Sequence, residues 1–450
     1  MSPRGARGIK HSSRIQLVRR VTAPSTSTSA ALTFVAALTG CSSSDEAPSP
    51  YPPACYARED LTIEVLCERT PGLCGAATGA LPSLGPSVTV VPDKGALPTE
   101  VVSQAAHNNL DIAWHGGRLY FAFRTAPSHF ASWQTVLYVV STTDQKRWTY
   151  ETQVALETDV REPRFLEVNG ELHLYFAVLG DNPLAFKPQG MRGMKLVHGC
   201  VWTAPEELRP MGETDFIPWR GRTVDGTSYL IGYGGGASSY DASGGAIRVH
   251  WLKTSDGVTF DPAIGSDSMV LEGGASEVDW AFLPDGGRVA VGRNEEGDDD
   301  GFGSKICRAE AGALEHWTCR HDPKKYDSPL VFRHGDDVYL VGRRNVTETG
   351  NFDLMQSGKT LLEQRLAYQL AYWQTPKRCS LWQLEPNALT VSFVLDLPSA
   401  GDTCFASELA ISPTQHLLYN YTSDPNLPDL SWNDAQHGPT RIDRVVVTLP

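Results

Sequence analysis

The sequence predicts an all-β fold, a six-bladed β-propeller of four-stranded antiparallel blades, on three observations. Pairs of apolar runs of similar length, joined by a tight turn, recur six times at intervals of about 45–75 residues. Further apolar runs, such as TVLYVVSTTD and AIRVHWLKTSD, lie between these pairs and supply the remaining strands. Only residues 358–374 have a helical pattern, whereas an α/β fold needs helices between its strands. An irregular β-sandwich is the alternative, but it does not predict equal-armed hairpins in series.

Each hairpin begins with polar or small residues, continues as an apolar strand and returns after the turn as a stronger apolar strand. In the fourth hairpin, Glu277 begins the first strand and Arg293 ends the second, so both side chains lie at one end of the sheet. The six hairpins span residues 108–124, 161–177, 215–233, 274–294, 327–343 and 404–423.

The N-terminal forty residues differ from the rest of the chain. Six basic residues precede the short apolar run AALTFVAAL, which ends in the box LTGC at Cys41. The run is too short to span a bilayer, and the whole pattern resembles a bacterial lipoprotein signal, cut before a cysteine that carries lipid. An ordinary secretory signal with a coincidental cysteine is the alternative. We therefore predict lipidation at Cys41 and a lipid-anchored protein of the bacterial cell envelope, on the outer membrane or periplasmic face.

The predicted organisation has four parts. They are a signal peptide at 1–40, a flexible linker at 41–54, a disulfide-tethered N-terminal segment at 55–99 and the propeller at 100–450.

Charge restricts the partners of the chain. The net charge is −13, and removal of residues 1–40, with six positive and no negative side chains, would leave −19. Such a surface repels nucleic acid and anionic lipid, so we expect no nucleic-acid partner and membrane contact only through the lipid. We further expect a monomer and no cofactor.

Nine cysteines, less the lipidated one, leave an even number in an exported chain, which indicates disulfides. Cys307 and Cys319 flank one hairpin and are predicted to pair, as are Cys379 with Cys404. Two more bridges would join the remaining four, which are Cys55, Cys67, Cys74 and Cys200. Zinc binding is the alternative, but no CxxC occurs, so no metal site is predicted.

Two turns are similar to the Asp box of sialidases and related propellers. They are TTDQKRWTY, with Asp144, and TSDGVTFDP, with Asp256. In this motif the aspartate caps a tight turn and the aromatic residue packs between sheets, so neither aspartate is expected to be catalytic. With the six hairpins and the Glu277–Arg293 pair, residues 100–450 resemble the six-bladed propellers of the sialidase superfamily. The segment FRTAPSHFASWQTVLYVVSTTDQKRWTYE resembles bacterial proteins named sialidase-like.

The resemblance assigns some site residues. In sialidases a fourth-blade glutamate activates a tyrosine nucleophile, and three arginines from separate blades hold the substrate carboxylate. The resemblance implies that Glu277 is that glutamate, Arg293 the second arginine and Arg343 the third. An arginine cluster suits a carboxylate because guanidinium groups donate two parallel hydrogen bonds.

Other parts of the sialidase pattern are absent. Asn108-Asn109-Leu110 stands where the first-blade arginine is expected, and Phe405 stands where the tyrosine nucleophile is expected. Phenylalanine has no hydroxyl with which to attack an anomeric carbon, and no aspartate matches the family's acid/base residue. We therefore expect little or no sialidase activity. Robust activity would require another tyrosine, such as Tyr326 or Tyr233.

Charged residues at the ends of the predicted inner strands form the candidate site. For any single pair an inter-blade salt bridge is the simpler explanation, whereas several charges in one concave pocket favour a ligand site. The candidate catalytic carboxylates are Glu277, Glu162, Asp327 and Asp279, and the candidate substrate-binding residues are Arg293, Arg343, Arg124, Arg161 and Arg164.

Two functions remain open. The first is a glycoside hydrolase acting on a polar or anionic glycan, with one carboxylate as acid and another as base or nucleophile. The second is a non-catalytic propeller that recognises carbohydrate or another envelope component. The acidic stretch 295–303 is expected to be a solvated loop rather than a calcium site, and 232–245 is a candidate lid. Ordinary packing or hydrogen bonding is expected for His107, His115, His129 and His250.

Overall fold

A computed structural model describes residues 61–70, 73–74, 79–183, 187–235 and 246–450. The predicted signal peptide, Cys41, the linker, Cys55 and most of the candidate lid lie outside these residues. Within them, no helix combines the length and apolar character needed to cross a bilayer.

The chain begins its described part with short elements. These are α1 (Val65–Arg69), β1 (Ser83–Leu84) and β2 (Val88–Val91).

Six antiparallel sheets follow one another along the chain, which confirms the predicted six-bladed β-propeller. Blade 1 contains β3 (Leu110–His115), β4 (Arg118–Thr125), β5 (Val136–Thr142) and β6 (Thr149–Val154). Blade 2 contains β7 (Asp159–Val168), β8 (Glu171–Gly180), β9 (Met191–Val197), β10 (Val201–Trp202) and β11 (Glu206–Leu208). Blade 3 contains β12 (Ile217–Val224), β13 (Thr227–Gly234), β14 (Ile247–Thr254), β15 (Asp261–Pro262) and β16 (Met269–Gly273).

The remaining three blades complete the ring. Blade 4 contains β17 (Ala275–Phe282), β18 (Arg288–Asp298), β19 (Gly301–Ala309) and β20 (Thr318–Asp322). Blade 5 contains β21 (Asp327–His334), β22 (Asp337–Asn345), the inserted helix α2 (Leu361–Trp373), β23 (Lys377–Glu385) and β24 (Thr390–Asp396). Blade 6 contains β25 (Ser407–Ser412), β26 (Gln415–Thr422), the short helix α3 (Trp432–Ala435) and β27 (Arg441–Thr448).

The N-terminal strands close the ring. The pairing of β1 and β2 with β27 brings Ser83 opposite Thr448 and Val88 opposite Arg444. The outer strands of the sixth blade therefore come from the segment 55–99, which was predicted to precede the propeller. Without them β27 would be an open sheet edge, with its backbone groups unpaired.

Apolar faces of neighbouring blades pack against each other. Between blades 3 and 4, Trp251 and Trp280 meet edge to face with ring centroids 5.4 Å apart. Between blades 1 and 6, Phe121 and Tyr419 pack at 5.1 Å. These large aromatic contacts explain why the strands are rich in tryptophan, tyrosine and phenylalanine.

Both Asp-box-like turns have the predicted structural role. Asp144 Oδ1 accepts hydrogen bonds from the backbone N–H groups of Lys146 and Arg147 at 2.9 and 3.0 Å. Asp256 Oδ1 likewise accepts hydrogen bonds from the backbone N–H groups of Val258 and Thr259, at 2.8 and 2.7 Å. These backbone donors lower the pKa of Asp256 to about 2.

The predicted bridges Cys307–Cys319 and Cys379–Cys404 are both present. A third bridge joins Cys67 to Cys74 within the N-terminal segment, so it does not tether that segment to the blades. Cys200 is also disulfide-bonded. The N-terminal segment also contacts blade 1 directly, since Trp114 Nε1 donates a hydrogen bond to the Leu61 carbonyl at 3.2 Å.

The helix predicted at 358–374 is confirmed as α2. A capping box begins it, in which the Thr360 side chain accepts from the Glu363 N–H and the Glu363 carboxylate accepts from the Thr360 N–H. Tyr368 and Tyr372 are buried on the side that faces the propeller. The helix therefore rests on the blade ends that carry the predicted site.

Candidate active site

The inner strands of the six blades are β3, β7, β12, β17, β21 and β25, and their starting ends meet at one end of the propeller, which we call the funnel. Four inner strands, those of blades 2 to 5, carry a register shift in this region. Four non-glycine residues here have left-handed backbone, with φ between 52° and 83°: Asn109, Glu162, Ser328 and Cys404. Such bulges and strained residues redirect side chains and cluster at functional sites.

Glu277 lies on blade 4 at the funnel and is paired as predicted with Arg293. Its Oε1 lies 2.8 Å from Arg293 Nη1, and its Oε2 accepts from the Ser328 backbone N–H at 2.8 Å. Burial raises the pKa of Glu277, and Arg293 opposes this only in part because Asp327 adds a further negative charge. Arg293 also contacts Glu295 at 3.3 Å, so its charge is shared among several carboxylates.

Glu162 lies on blade 2, two blades from Glu277. Its Oε1 accepts from Asn109 Nδ2 at 3.2 Å, while its nearest cation, Arg164 Nη2, lies 3.9 Å from Oε2. The pKa of Glu162 is raised to about 7, mainly because the group is buried; Arg164 opposes this rise, and the negative charge of Glu277 adds to it. The two carboxylates therefore interact through the funnel, and Glu162 is weakly compensated.

Asp327 and Arg343 join blades 5 and 6. Arg343 Nη1 donates to Asp327 Oδ2 at 2.9 Å, and Arg343 Nε donates to the Thr403 carbonyl at 2.6 Å. The hydroxyl of Tyr372, on α2, also donates to Asp327 at 2.8 Å. Although burial opposes ionisation, Lys325 and Arg343 hold the pKa of Asp327 below its ordinary value. The guanidinium group of Arg343 thus donates its hydrogen bonds to other residues of the protein. The residue predicted to be the third substrate-binding arginine therefore links blades 5 and 6 instead.

Arg124 and Arg161 converge on one carboxylate. Arg124 is fully buried, donates to Asp159 Oδ1 through Nε and Nη2 at 2.9 and 2.7 Å, and donates to Asn108 Oδ1 at 2.6 Å. Arg161 Nε donates to the other oxygen of Asp159. The structure thus uses Arg124 to link blades 1 and 2, while Arg161 keeps 14% of its side chain exposed at the funnel.

Arg164 is buried among aromatic rings. Its guanidinium lies 4.9 Å from the Trp219 ring centroid and 4.3 Å from that of Phe405. Phe405, at the position expected for a tyrosine nucleophile, is therefore part of a cation–π cluster between blades 2, 3 and 6. Of the two tyrosines named as possible replacements, Tyr326 is buried with its hydroxyl donating to Asp322 at 3.0 Å, and Tyr233 is also buried.

Asp279 lies two residues beyond Glu277 on β17 and belongs to a different group of charges. Its carboxylate accepts hydrogen bonds from both terminal nitrogens of Arg222, lies 3.2 Å from Arg220 Nε and accepts the Val331 N–H at 2.7 Å. Although burial opposes ionisation, Arg222 and Arg220 hold the pKa of Asp279 below its ordinary value. The structure does not bring Asp279 to the Glu162–Glu277 pair. Its place is in an inner charge layer, together with Asp111, Arg220 and Arg222.

Several funnel residues were missed by the sequence reasoning. Tyr372 comes from the inserted helix, and Asp402 and His129 come from connections between strands, where no periodic pattern indicates a site. His129 was expected to make only ordinary contacts. The other three histidines fit that expectation: His115 Nδ1 lies 2.9 Å from Glu167, His250 Nδ1 lies 2.9 Å from Ser268 Oγ, and His107 is buried.

The acidic stretch 295–303 is not a solvated loop over its whole length, which corrects the expectation. It forms the end of β18 and the start of β19, and its first two carboxylates face cations. Glu295 lies 3.4 Å from Lys325 Nζ, and Glu296 pairs with Arg365 of α2. No group of three metal-ligating side chains is found among the described residues.

A cavity of about 430 Å³ is lined mainly by residues of inner strands from five blades, most of them later in their strands than the funnel residues. Asp111, on its wall, accepts from the Phe165 N–H at 2.7 Å and from Ser407 Oγ at 2.6 Å. Its hydrogen bonds serve to join blades 1, 2 and 6.

No protein-family model and no curated protein matches this sequence. Solved structures do match. A protein of unknown function from Dyadobacter fermentans has a TM-score of 0.53 at 15% identity, and the match covers 82% of this chain and 99% of that one. Trypanosoma rangeli sialidase in complex with sialic acid has a TM-score of 0.51 at 11% identity, covering 84% of this chain.

The same sialidase with the inhibitor DANA gives a TM-score of 0.52 at 12% identity. This chain spans only 59% of the length of the trypanosomal sialidase. At these identities the likeness concerns the fold alone. The described chain has the sialidase-like six-bladed propeller fold that the sequence resemblance implied.

Proposed function

We propose that this protein is a glycoside hydrolase that acts on a polar or anionic glycan and is not a standard sialidase. One observation carries the proposal: Glu162 and Glu277 lie on non-adjacent blades at the funnel, interact electrostatically and both have a raised pKa. Efficient acid–base catalysis near neutral pH needs carboxyl groups shifted in this direction.

The contacts assign a role to each carboxyl group. The nearest cation to Glu162, Arg164 Nη2, lies 3.9 Å away, and burial keeps the pKa of Glu162 at about 7, so this carboxyl group is suited to protonate the leaving glycosidic oxygen. Glu277 is held by Arg293 and the Ser328 N–H, which favour its ionised form. In the proposed reaction Glu277 takes a proton from water, the water oxygen bonds to the anomeric carbon, and the glycosidic C–O bond breaks. A whole blade separates the two residues, which suits the wider spacing of an inverting pair.

The accessible cations support a polar or anionic substrate. Arg293 and Arg161 keep 17% and 14% of their side chains exposed at the funnel. Arg124 and Arg343 are committed to inter-blade bonds, so they do not complete the carboxylate clamp of a sialidase. Both guanidinium groups also bond to neighbouring residues, and their exposed parts face the funnel, where they could contact carboxylate, sulfate or hydroxyl substituents of a sugar.

The second candidate function is glycan recognition without catalysis. Phe405 favours it, because a phenylalanine packed on Arg164 replaces the hydroxyl that a sialidase uses. A funnel of paired charges with two accessible arginines could then bind an envelope glycan without cleaving it.

A glycoside screen tests the proposal. The purified protein is incubated with 4-nitrophenyl glycosides of neutral sugars, uronic acids and sialic acid, and with isolated glycans. Glu277→Gln and Glu162→Gln are compared with Glu310→Gln, a matched change of an exposed carboxylate that pairs with Arg308. Release that is lost in both funnel variants but kept in Glu310→Gln supports the hydrolase. Glycan binding without release by any variant supports the second function instead.

We also propose export and lipid anchoring at Cys41. Three disulfides among the described residues indicate an oxidising compartment, outside the cytoplasm. Cys41→Ala should release the protein from the membrane fraction. Retention of the alanine variant in that fraction would place the anchor elsewhere.

A further inference from the structure

A second acid–base pair lies at the funnel between blades 6 and 1. His129 belongs to the connection from β4 to β5, and Asp402 lies just before β25. His129 Nδ1 is 2.8 Å from Asp402 Oδ2. The Asp402 side chain is fully buried, whereas 19% of the His129 side chain is exposed.

Asp402 is held as a carboxylate. Its Oδ1 accepts from the Tyr421 hydroxyl at 3.0 Å and from Trp432 Nε1 at 3.2 Å. Although burial opposes ionisation, His129 and Arg343 hold the pKa of Asp402 below its ordinary value. A carboxylate accepts hydrogen bonds only, so it places the histidine proton on Nδ1.

The other ring nitrogen is then an acceptor. No hydrogen bond from the described residues reaches His129 Nε2. Asn108 Nδ2 also lies 3.0 Å from Nδ1, and because the Asn108 oxygen accepts from Arg124, this amide could donate to Nδ1 only in the opposite tautomer. The buried Asp402 carboxylate lies closer, at 2.8 Å, and needs a donor on Nδ1, so it decides the tautomer. The neutral imidazole therefore keeps an unused lone pair on its partly exposed side, which is the arrangement of an oriented general base.

The pair shares its surroundings with the carboxylates of the funnel. Arg161 Nη2 donates to the His129 carbonyl at 2.5 Å, and Arg161 also acts electrostatically on Glu162. Asn109, next to Asn108 in the chain, donates to Glu162. A ligand held beside Glu162 would therefore lie near the imidazole.

We propose that His129, oriented by Asp402, is a proton-accepting group of the funnel for a sugar hydroxyl of the bound ligand. The ligand O–H bond breaks, the proton bonds to Nε2, and the electron pair stays on the oxygen. Asp402 stabilises the imidazolium, which later returns the proton to solvent or product. The charged groups that face His129 are Asp402, which favours the imidazolium, and Arg161 and Arg124, which oppose it.

This proposal rests on the proposed function for its substrate but not for its first test. In the full-length protein with ¹⁵N-labelled histidine, two-bond ¹H–¹⁵N correlation spectra distinguish the tautomers, and His129→Gln assigns the signal. We expect the Nδ1–H tautomer for neutral His129. Observation of the Nε2–H tautomer would overturn the proposal, and this result needs no other variant to fold.

Asp402→Asn then tests the orientation. The amide can donate as well as accept, so the variant should shift His129 towards the Nε2–H tautomer and lower its pKa by roughly 1–3 units. Asp424→Asn is the matched control, since Asp424 pairs with Arg441. An unchanged tautomer and pKa in a folded Asp402→Asn protein would contradict the proposal.

Turnover separates this proposal from the hydrolase itself. With a 4-nitrophenyl glycoside that the protein cleaves, His129→Gln should lower kcat by about 10²–10⁴-fold and remove one limb of the pH profile. An unchanged kcat and pH profile would remove His129 from the reaction and leave the hydrolase standing. If no glycoside is cleaved, the hydrolase fails and the tautomer experiments alone decide whether the imidazole is an oriented acceptor.

Discussion

Glu277 and Asp279 lie two residues apart on one inner strand, yet they belong to two different charge layers. Glu277, at the funnel, has one arginine and one backbone N–H as its partners. Asp279, in the inner layer, has two arginines and the backbone N–H groups of Val331 and Trp280. Burial opposes ionisation of both, and the pKa is raised for Glu277 and lowered for Asp279.

This contrast shows how the propeller separates charges that hold the blades together from charges that can react with a ligand. A buried carboxylate with several donors is stable as an anion and joins blades, but it offers no proton and no free lone pair. A buried carboxylate with few donors stays close to protonation and can exchange a proton with a ligand. By this criterion the reactive groups are Glu277 and Glu162, and the scaffold groups are Asp279, Asp327 and Asp159.

The largest expected effect is the loss of turnover in Glu277→Gln. The amide keeps the shape and the Ser328 hydrogen bond but cannot transfer the proton, so kcat should fall by about 10²–10⁴-fold. Arg293 keeps Glu295 and Ser276 as partners, so the free energy of unfolding should change by about 1 kcal/mol or less. Turnover of the glycoside found in the screen and chemical denaturation are measured on one preparation. A large loss of stability with unchanged function would make Glu277 a scaffold residue like Asp279.

Asp279→Asn should have the opposite profile. Removing this charge leaves the buried Arg220 and the partly buried Arg222 without their main partner, so the free energy of unfolding should fall by about 3–5 kcal/mol. Urea denaturation measures the change, with Glu310→Gln as the control. If the variant is as stable as the unaltered protein, the inner layer is not the scaffold that its contacts indicate.

Glu162→Gln should alter the pH dependence of stability. Because the pKa of Glu162 rises to about 7 on folding, its favourable contribution is complete below its ordinary pKa near 4.5 and is lost as the pH approaches 7. The glutamine variant lacks this loss, so its stability should rise relative to the unaltered protein between these pH values, by up to about 3 kcal/mol. Denaturation curves at pH 4–8 measure the difference. Parallel curves would show an ordinary, well-solvated Glu162.

The smallest expected effect concerns a carboxylate far from both layers. Asp256 is exposed and caps its turn through two backbone N–H groups, so Asp256→Ala should cost about 1 kcal/mol without affecting turnover. Thermal unfolding and glycoside assays measure the two effects. Reduced turnover would mean that the Asp-box-like turn influences the funnel.

Much of the fold followed from local patterns. Equal-armed hairpins predicted the inner strands, and the return of Arg293 to Glu277 followed from strand pairing alone. The alternation of side chains along β17 predicts that Glu277 and Asp279 lie on the same side of the strand. It does not predict how far each carboxylate lies from the funnel or how many hydrogen-bond donors surround it. Hence both were predicted as catalytic candidates.

The remaining features depend on long-range packing. The strands β1 and β2 have two and four residues, too few for a periodic signal, and they join blade 6 across the full length of the chain. His129, Asp402 and Tyr372 reach the funnel from two connections and an inserted helix. Their positions depend on contacts such as that between Tyr372 and Trp432, at 5.5 Å, which no local pattern encodes.

The most direct test of the two-layer account is the titration of Glu162 by carboxyl ¹³C NMR in the unaltered protein and in Glu277→Gln. We expect an apparent pKa of about 7 for Glu162, and we expect it to fall when the charge of Glu277 is removed, because that charge helps to keep Glu162 protonated. A pKa near the ordinary glutamate value of about 4.5, unchanged in the variant, would contradict the assignment of Glu162 and Glu277 as reactive groups. The funnel carboxylates would then be as fully compensated as those of the inner layer.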